Sequence, residues 1–253
     1  MGTTVPCGGR LRNGFFVKSS FLARPWPVVA GHRGDPRRYP DNTLTGIISG
    51  LAAGGAVEVD VRLAADGHLV LSHDPDIGGH AVAETPWPLL AELEIGGGHR
   101  PCLLDEAMAL PGRFDLEVKN LPTETGFDPA GRLALSVASR ARPEDLVTSF
   151  YWPDLDRIRS HAPHVSTGLL VGEDGPAGDA VVHAAEAGHT VVAAHDNLID
   201  GVLMSAAAAA DVAVVAWTVN DTDRARELSQ LGVAAIISDR PHIISSALRE
   251  HQA

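Results

Sequence analysis

Short β-like runs alternate with helical runs along nearly the whole chain, and that order admits few folds. Residues 28–31, 56–62, 68–73, 114–119, 146–150, 166–171, 190–195 and 212–219 read as strands, and a further apolar run covers 234–238. Such alternation implies βαβ units and a parallel sheet. The chain has 253 residues, the size of a single (β/α)8 barrel of about 250 residues. The expected fold is α/β, a (β/α)8 TIM-type barrel over residues 28–253 behind a variable N-terminal leader at residues 1–27. Eight places must hold nine runs, so 234–238 is assigned to a short extension near the closure. The link from 62 to 68 is too short for a helix.

Helix boundaries are punctuated. Asn42 is placed as the cap of a helix over 43–53, stopped by Gly54 and Gly55. Asp128-Pro129 opens a helix to about Arg140, Gly175-Pro176 one ending near Gly188, and Asn220 or Asp221 one ending at Gly232. A last helix follows Pro241. Residues 75–101 break the rhythm with Pro75, Pro86, Pro88 and Gly96-Gly97-Gly98. They read as a short loop-rich insertion after the third strand, on the face where barrels carry function. The triple glycine lacks a following Lys-Ser/Thr and a preceding strand, so it reads as a linker and not a phosphate loop.

Two strands carry the chemistry. Val57, Val59 and Val61 alternate with Glu58, Asp60 and Arg62; Phe114, Leu116 and Val118 alternate with Asp115, Glu117 and Lys119. Period two puts each set on one face. In a parallel barrel the apolar set faces the helices, so the charged set points inward. Glu58, Asp60 and Glu117 would repel one another there unless a cation lies among them. Oxygen-only ligation suits one divalent Mg²⁺ or Ca²⁺. His32 and His73 end the first and third runs, able to take and return a proton near neutrality. Arg33 and Lys119 supply positive charge for a phosphoryl group.

Composition limits the partners. A net charge of −12 argues against nucleic acid, which is bound by clustered Lys and Arg. No apolar run approaches the ~20 residues of a membrane span, and the leader lacks a signal-peptide core. Cys7 and Cys102 are too few for a disulfide framework. The expectation is a cytoplasmic protein without stable membrane insertion, acting on a small phosphodiester.

The ordered motifs resemble the glycerophosphodiester phosphodiesterase family. His32-Arg33-Gly34 followed by Pro40-Asp41-Asn42-Thr43-Leu44 is similar to its HRG…PENTL opening. Val57-Glu58-Val59-Asp60-Val61, Asp66-Gly67 and Val70…His73-Asp74 resemble the next block, and Leu116-Glu117-Val118-Lys119 its IEIK strand. Ser149-Phe150, Trp217-Thr218-Val219-Asn220 and residues 236–241 resemble later motifs. The resemblance spans about residues 28–242. It implies hydrolysis of glycerophosphodiesters to an alcohol and glycerol 3-phosphate. It implies metal ligation by Glu58, Asp60 and Glu117, acid–base catalysis by His32 and His73 in unassigned order, phosphate contacts from Arg33 and Lys119, and a pocket wall from Trp217. Two departures bear on head-group preference: Asp41 replaces the usual Glu, and the segment after His73 lacks the usual Arg-Thr pair. Two other readings use the same residues: a lysophospholipase D or phospholipase-like barrel acting on lipid diesters, hinted at by Gly14-Phe15-Phe16-Val17, and a non-catalytic barrel that binds a phosphate ligand.

Overall fold

The structure, a computed structural model, describes residues 20–22 and 27–252; Cys7 and the segment 14–17 lie outside them. Its strands are β1 (Val28–Gly31), β2 (Ala56–Leu63), β3 (Leu69–Leu71), β4 (Asp76–Ile77), β5 (His80–Ala81), β6 (Arg113–Val118), β7 (Leu146–Ser149), β8 (Thr167–Val171), β9 (Val191–His195), β10 (Ala213–Trp217) and β11 (Ala235–Ser238). Its helices are α1 (Leu44–Gly54), α2 (Trp87–Leu90), α3 (Leu104–Met108), α4 (Arg132–Ala138), α5 (Trp152–His161), α6 (Ala177–Ala187), α7 (Gly201–Ala209), α8 (Thr222–Leu231) and α9 (Pro241–Gln252).

Eight strands, β1, β2 and β6 to β11, pair side by side in parallel. β1 pairs with both β11 and β2, which closes the ring. The expected (β/α)8 barrel is therefore present, with two corrections to the strand assignment. The run at 68–73 supplies no barrel strand: β3 lies antiparallel to the end of β2, with Val61 opposite Leu71 and Leu63 opposite Leu69. Its short link leaves no room for the dozen or so residues of a parallel crossover, so the chain reverses. The run at 234–238 is no extension. It is the eighth barrel strand, hydrogen-bonded to β1 on one side and β10 on the other. Residues 75–101 form the β4–β5 hairpin and α2, packed on Val70 through Ile77, Val82 and Leu90.

Helix starts follow side-chain acceptors. Thr43, not Asn42, caps α1: its hydroxyl accepts from the Gly46 N–H at 3.2 Å, while Asn42 adopts a left-handed φ of 57°. The Asp128 carboxylate accepts from the backbone of Ala130 and Leu133, yet α4 begins only at Arg132. Asp221 caps α8 by accepting from Asp223 and Arg224. Gly55, Gly188 and Gly232 end their helices in the left-handed region.

Burial follows the two faces of the strands. Val57, Val59, Val61, Phe114, Leu116 and Val118 pack outward in one cluster with helix residues such as Leu155, Ile158, Ala184 and Leu228. A second cluster fills the barrel from its strand starts with Phe21, Val28, Ala30, Leu146, Val191 and Val215. Phe21 is fully buried there, and its carbonyl accepts from Arg113 at 2.8 Å. Among the described residues, no helix is long and apolar enough to cross a membrane.

Candidate active site

The inward charged faces of β2 and β6 lie side by side. Their register sets Glu58 opposite Asp115 and Asp60 opposite Glu117. All four carboxyls are nearly or fully buried. Asp115 had the same alternation signal as Glu117 but was missing from the set read from sequence; it is fully buried and accepts from the Thr148 hydroxyl at 2.7 Å.

The opening segment reaches this cluster because β1 and α1 approach closely. Gly34 has φ 99°, and a Cβ there would lie 2.6 Å from the Gly46 carbonyl carbon; only glycine fits. The turn delivers Arg33, itself at φ 51°, so that its backbone N–H donates to Glu58 at 2.9 Å. The Arg33 guanidinium lies 3.3 Å from Asp60 and 2.9 Å from Asp41. Asn42 grips Asp60 twice: its amide donates to the carboxylate at 2.8 Å and its carbonyl accepts from the Asp60 N–H at 3.1 Å. Lys119 reaches Glu117 at 2.9 Å and Asp60 at 3.6 Å.

The two histidines differ in support. His32 Nδ1 lies 2.7 Å from Asp239 Oδ1, and its Nε2 lies 4.0 Å from Glu58. The β1–β11 register, with Gly31 beside Ser238, brings Asp239 to it. Asn220 then holds Asp239, donating to its carboxylate at 2.7 Å and accepting from its N–H at 2.9 Å. His73 follows β3 and is more exposed; its Nδ1 lies 2.8 Å from Asp74. Its carbonyl accepts from Arg62, which also donates to the Lys119 carbonyl and to Glu124.

A cavity of about 210 Å³ is lined by His32, Arg33, Glu58, His73, Glu117, Lys119 and Trp217, together with Asp115, Thr148 and Phe150. Every residue singled out from the sequence except Asp60 lines it, and Asp60 lies in the adjoining carboxyl cluster. Trp217 donates to the Ala193 carbonyl and meets Phe150 and His195 edge-on. A second cavity of about 320 Å³ shares Arg33 and His73 and is lined by Asp41, Leu71, Asp76 and Ile95.

Charge in the cluster is unbalanced. Burial pushes Glu58 well above the usual carboxylate range, helped by Asp60 and Glu117. Burial, with Asp60 beside it, raises Glu117 to about 7 against the pull of Lys119. Burial also takes Asp115 to about 8, opposed by its Thr148 bond. Burial acts on Asp60 the same way, but Lys119, Arg33 and the Asn42 amide outweigh it and hold that group low. Four carboxyls face Arg33 and Lys119, so full ionisation leaves an excess of two negative charges. Glu58 Oε1 and Asp60 Oδ1 are buried without a hydrogen-bond partner. One donor atom from each of Glu58, Asp60 and Glu117 lies within 4.8 Å of the others. An all-oxygen set with orphaned oxygens fits a hard divalent cation.

Phosphodiester chemistry matches what such a face can do, and among the described residues no serine or cysteine lines the cavity. In class the molecule is a barrel hydrolase of phosphoric diesters. Residues 32–243 match the profile of the glycerophosphoryl diester phosphodiesterase family, and the chain belongs to that family. It is 26% identical over 243 residues to the glycerophosphodiester phosphodiesterase of Caldanaerobacter subterraneus subsp. tengcongensis, covering 88% of this chain and 98% of that one. It superposes on a solved structure from Silicibacter pomeroyi with a TM-score of 0.81 at 26% identity, covering 92% and 98% of the two chains. A phosphodiesterase from Oleispira antarctica, solved with the product sn-glycerol 3-phosphate, gives a TM-score of 0.77 at 25% identity, covering 88% and 97%.

Proposed function

We propose that the protein hydrolyses glycerophosphodiesters to an alcohol and glycerol 3-phosphate, using one divalent cation and a histidine acid–base pair. The observation that carries this reading is the meeting of His32 and His73 in one cavity beside the orphaned oxygens of Glu58 and Asp60. Glu58, Asp60 and Glu117 would hold Mg²⁺ or Ca²⁺, which supplies Lewis-acid stabilisation of phosphoryl charge. Arg33 and Lys119 orient the phosphate and offset its negative charge. One histidine takes the proton from the glycerol 2-hydroxyl or from a water as that oxygen attacks phosphorus. The other gives a proton to the departing alcohol oxygen; attack by water yields glycerol 3-phosphate directly, whereas attack by the 2-hydroxyl yields a cyclic phosphate, which a water deprotonated by the second histidine then opens at phosphorus as the 2-oxygen leaves and recovers its proton from the first. Asp239 and Asp74 fix the two imidazoles through Nδ1. Trp217 and Phe150 exclude water from one side. The first cavity suits a glycerol phosphate; the second, sharing Arg33 and His73, lies where a leaving alcohol would be held. The buried free thiol of Cys102 supports placing the enzyme in a reducing, cytoplasmic compartment.

The test is release of glycerol 3-phosphate from glycerophosphocholine and glycerophosphoethanolamine with Mg²⁺, Ca²⁺ or EDTA, with micellar lysolipid as the competing substrate. The expected result is turnover that stops in EDTA and falls at least about 10²-fold in His32→Ala. Undiminished turnover in EDTA would remove the cation from the mechanism. Preference for the lysolipid would move the substrate class to lipid diesters.

A further inference from the structure

Outside the barrel wall, α5 and α6 bring together three side chains that the diester site does not use. Asp156 is on α5, His183 on α6, and His189 in the link from α6 to β9. Because His189 precedes β9, the cluster lies toward the strand starts, away from the C-terminal face that carries the diester site. Asp156 Oδ1 is 3.0 Å from Nε2 of His183 and 3.0 Å from Nε2 of His189. One donor atom from each residue lies within 4.8 Å of the other two. The imidazoles stack with centroids 5.8 Å apart, and Trp152 covers His183 at 5.5 Å.

We propose that Asp156, His183 and His189 form a second metal site, for a divalent cation of the zinc class, that staples α5 to α6 and to the approach of β9. Two imidazoles and one carboxylate favour zinc, cobalt or nickel over magnesium, which prefers oxygen. Ligands at about 2.0–2.1 Å in a tetrahedron stand roughly 3.3 Å apart, so the two 3.0 Å separations open by a few tenths of an ångström while the two imidazole nitrogens, within 4.8 Å of each other, close toward that distance. The fourth position is left to water.

The surroundings supply what a nitrogen ligand needs. His189 is fully buried at its side chain, and its Nδ1 lies 2.8 Å from the Thr167 hydroxyl. When Nδ1–H donates to that hydroxyl, Nε2 keeps its lone pair for a cation and the ring is oriented by its outer partner. Without a cation, both imidazoles must donate Nε2–H to the same carboxylate oxygen, and the Thr167 hydroxyl must turn to donate. The staple is independent of the proposed diester chemistry.

The test is zinc binding to tag-free protein in millimolar Mg²⁺, comparing wild type with His183→Gln and Asp156→Asn. His183 is part-exposed, so its replacement leaves the core intact, and diester hydrolysis by His183→Gln serves as the folding control. Wild type should bind one more zinc per chain than His183→Gln. Loss of a direct ligand should weaken that site at least about a hundredfold, the upper end for outer-shell changes. Zinc at about a hundredfold excess over its Kd should raise the wild-type melting midpoint by roughly 5–11 °C, and the variants by much less. Equal zinc counts and equal thermal shifts in wild type and His183→Gln would overturn the proposal and leave a hydrogen-bonded staple.

Discussion

The Asn220 side chain has its orientation imposed by its neighbours. Its carbonyl accepts from the Asp239 N–H and the Ser238 hydroxyl, so its amide nitrogen must face the Asp239 carboxylate. That carboxylate accepts on one oxygen from Asn220 and on the other from His32 Nδ1–H, which leaves His32 Nε2 bare toward the cavity. In Asp239→Asn the new carbonyl must face Asn220, and the new NH₂ must face His32. Nδ1 then accepts, the proton moves to Nε2, and the wrong tautomer faces the substrate. We expect kcat to fall by about 10²–10⁴-fold with KM and melting midpoint little changed. A loss under threefold in a kcat measurement would mean that Asp239 does not set the tautomer. The carboxyl faces of β2 and β6 are legible because they rest on local alternation, and His32 because it ends a strand run. Asp239 is not, because 207 residues separate it from His32 and only the β1–β11 register joins them. Asp115 could have been found, since it shares a face with Glu117 and Lys119.

Among the elements, β2 outlasts its barrel neighbours, and Arg62 near its end ties three segments together. Its guanidinium bonds the His73 carbonyl beyond β3, the Lys119 carbonyl beyond β6, and Glu124. A planar fork does this and a single ammonium cannot. Arg62→Lys keeps the charge but frees the two strand ends that carry His73 and Lys119. Misplacement by about 1 Å costs on the order of 10²-fold in rate, so kcat/KM should drop at least tenfold while the fold persists by circular dichroism. Full activity in Arg62→Lys would show that the strand ends are held without it. The same region explains where the strand count failed. Residues 68–73 carry the composition of a strand, but so short a link from β2 allows only an antiparallel return, and composition alone does not count the strands that fit the ring. With β3 removed from the count, β11 takes its place in the ring. Asn42 shows the same limit: as a residue type it suits a helix cap, but Asp60, eighteen positions on, claims both ends of its amide.

For the molecule as a whole, the proposed diester site is a local cost that a bound cation would reverse. Four buried carboxyls weaken the cation-free barrel, because burial and mutual repulsion hold Glu58, Glu117 and Asp115 toward their protonated forms. Glu58→Gln resembles the protonated acid and keeps an acceptor for the Arg33 N–H. In EDTA the variant should therefore melt at or above wild type. Mg²⁺ or Ca²⁺ should reverse the order. A cation at about 100 times its Kd stabilises the form that binds it by about 2.7 kcal/mol, or roughly 5–11 °C for a chain of this size. The variant, with one ligand oxygen and one charge fewer, should gain less than half of that. A net charge of −12 draws divalent ions to the surface in both proteins alike, so the difference between them isolates the site from general screening. Differential scanning calorimetry in EDTA, and in Mg²⁺ and Ca²⁺ at equal concentrations, reads this crossing directly, and the larger wild-type gain identifies the preferred ion. Parallel curves, with wild type above Glu58→Gln in every buffer, would place the cation elsewhere and leave the orphaned oxygens of Glu58 and Asp60 without a ligand.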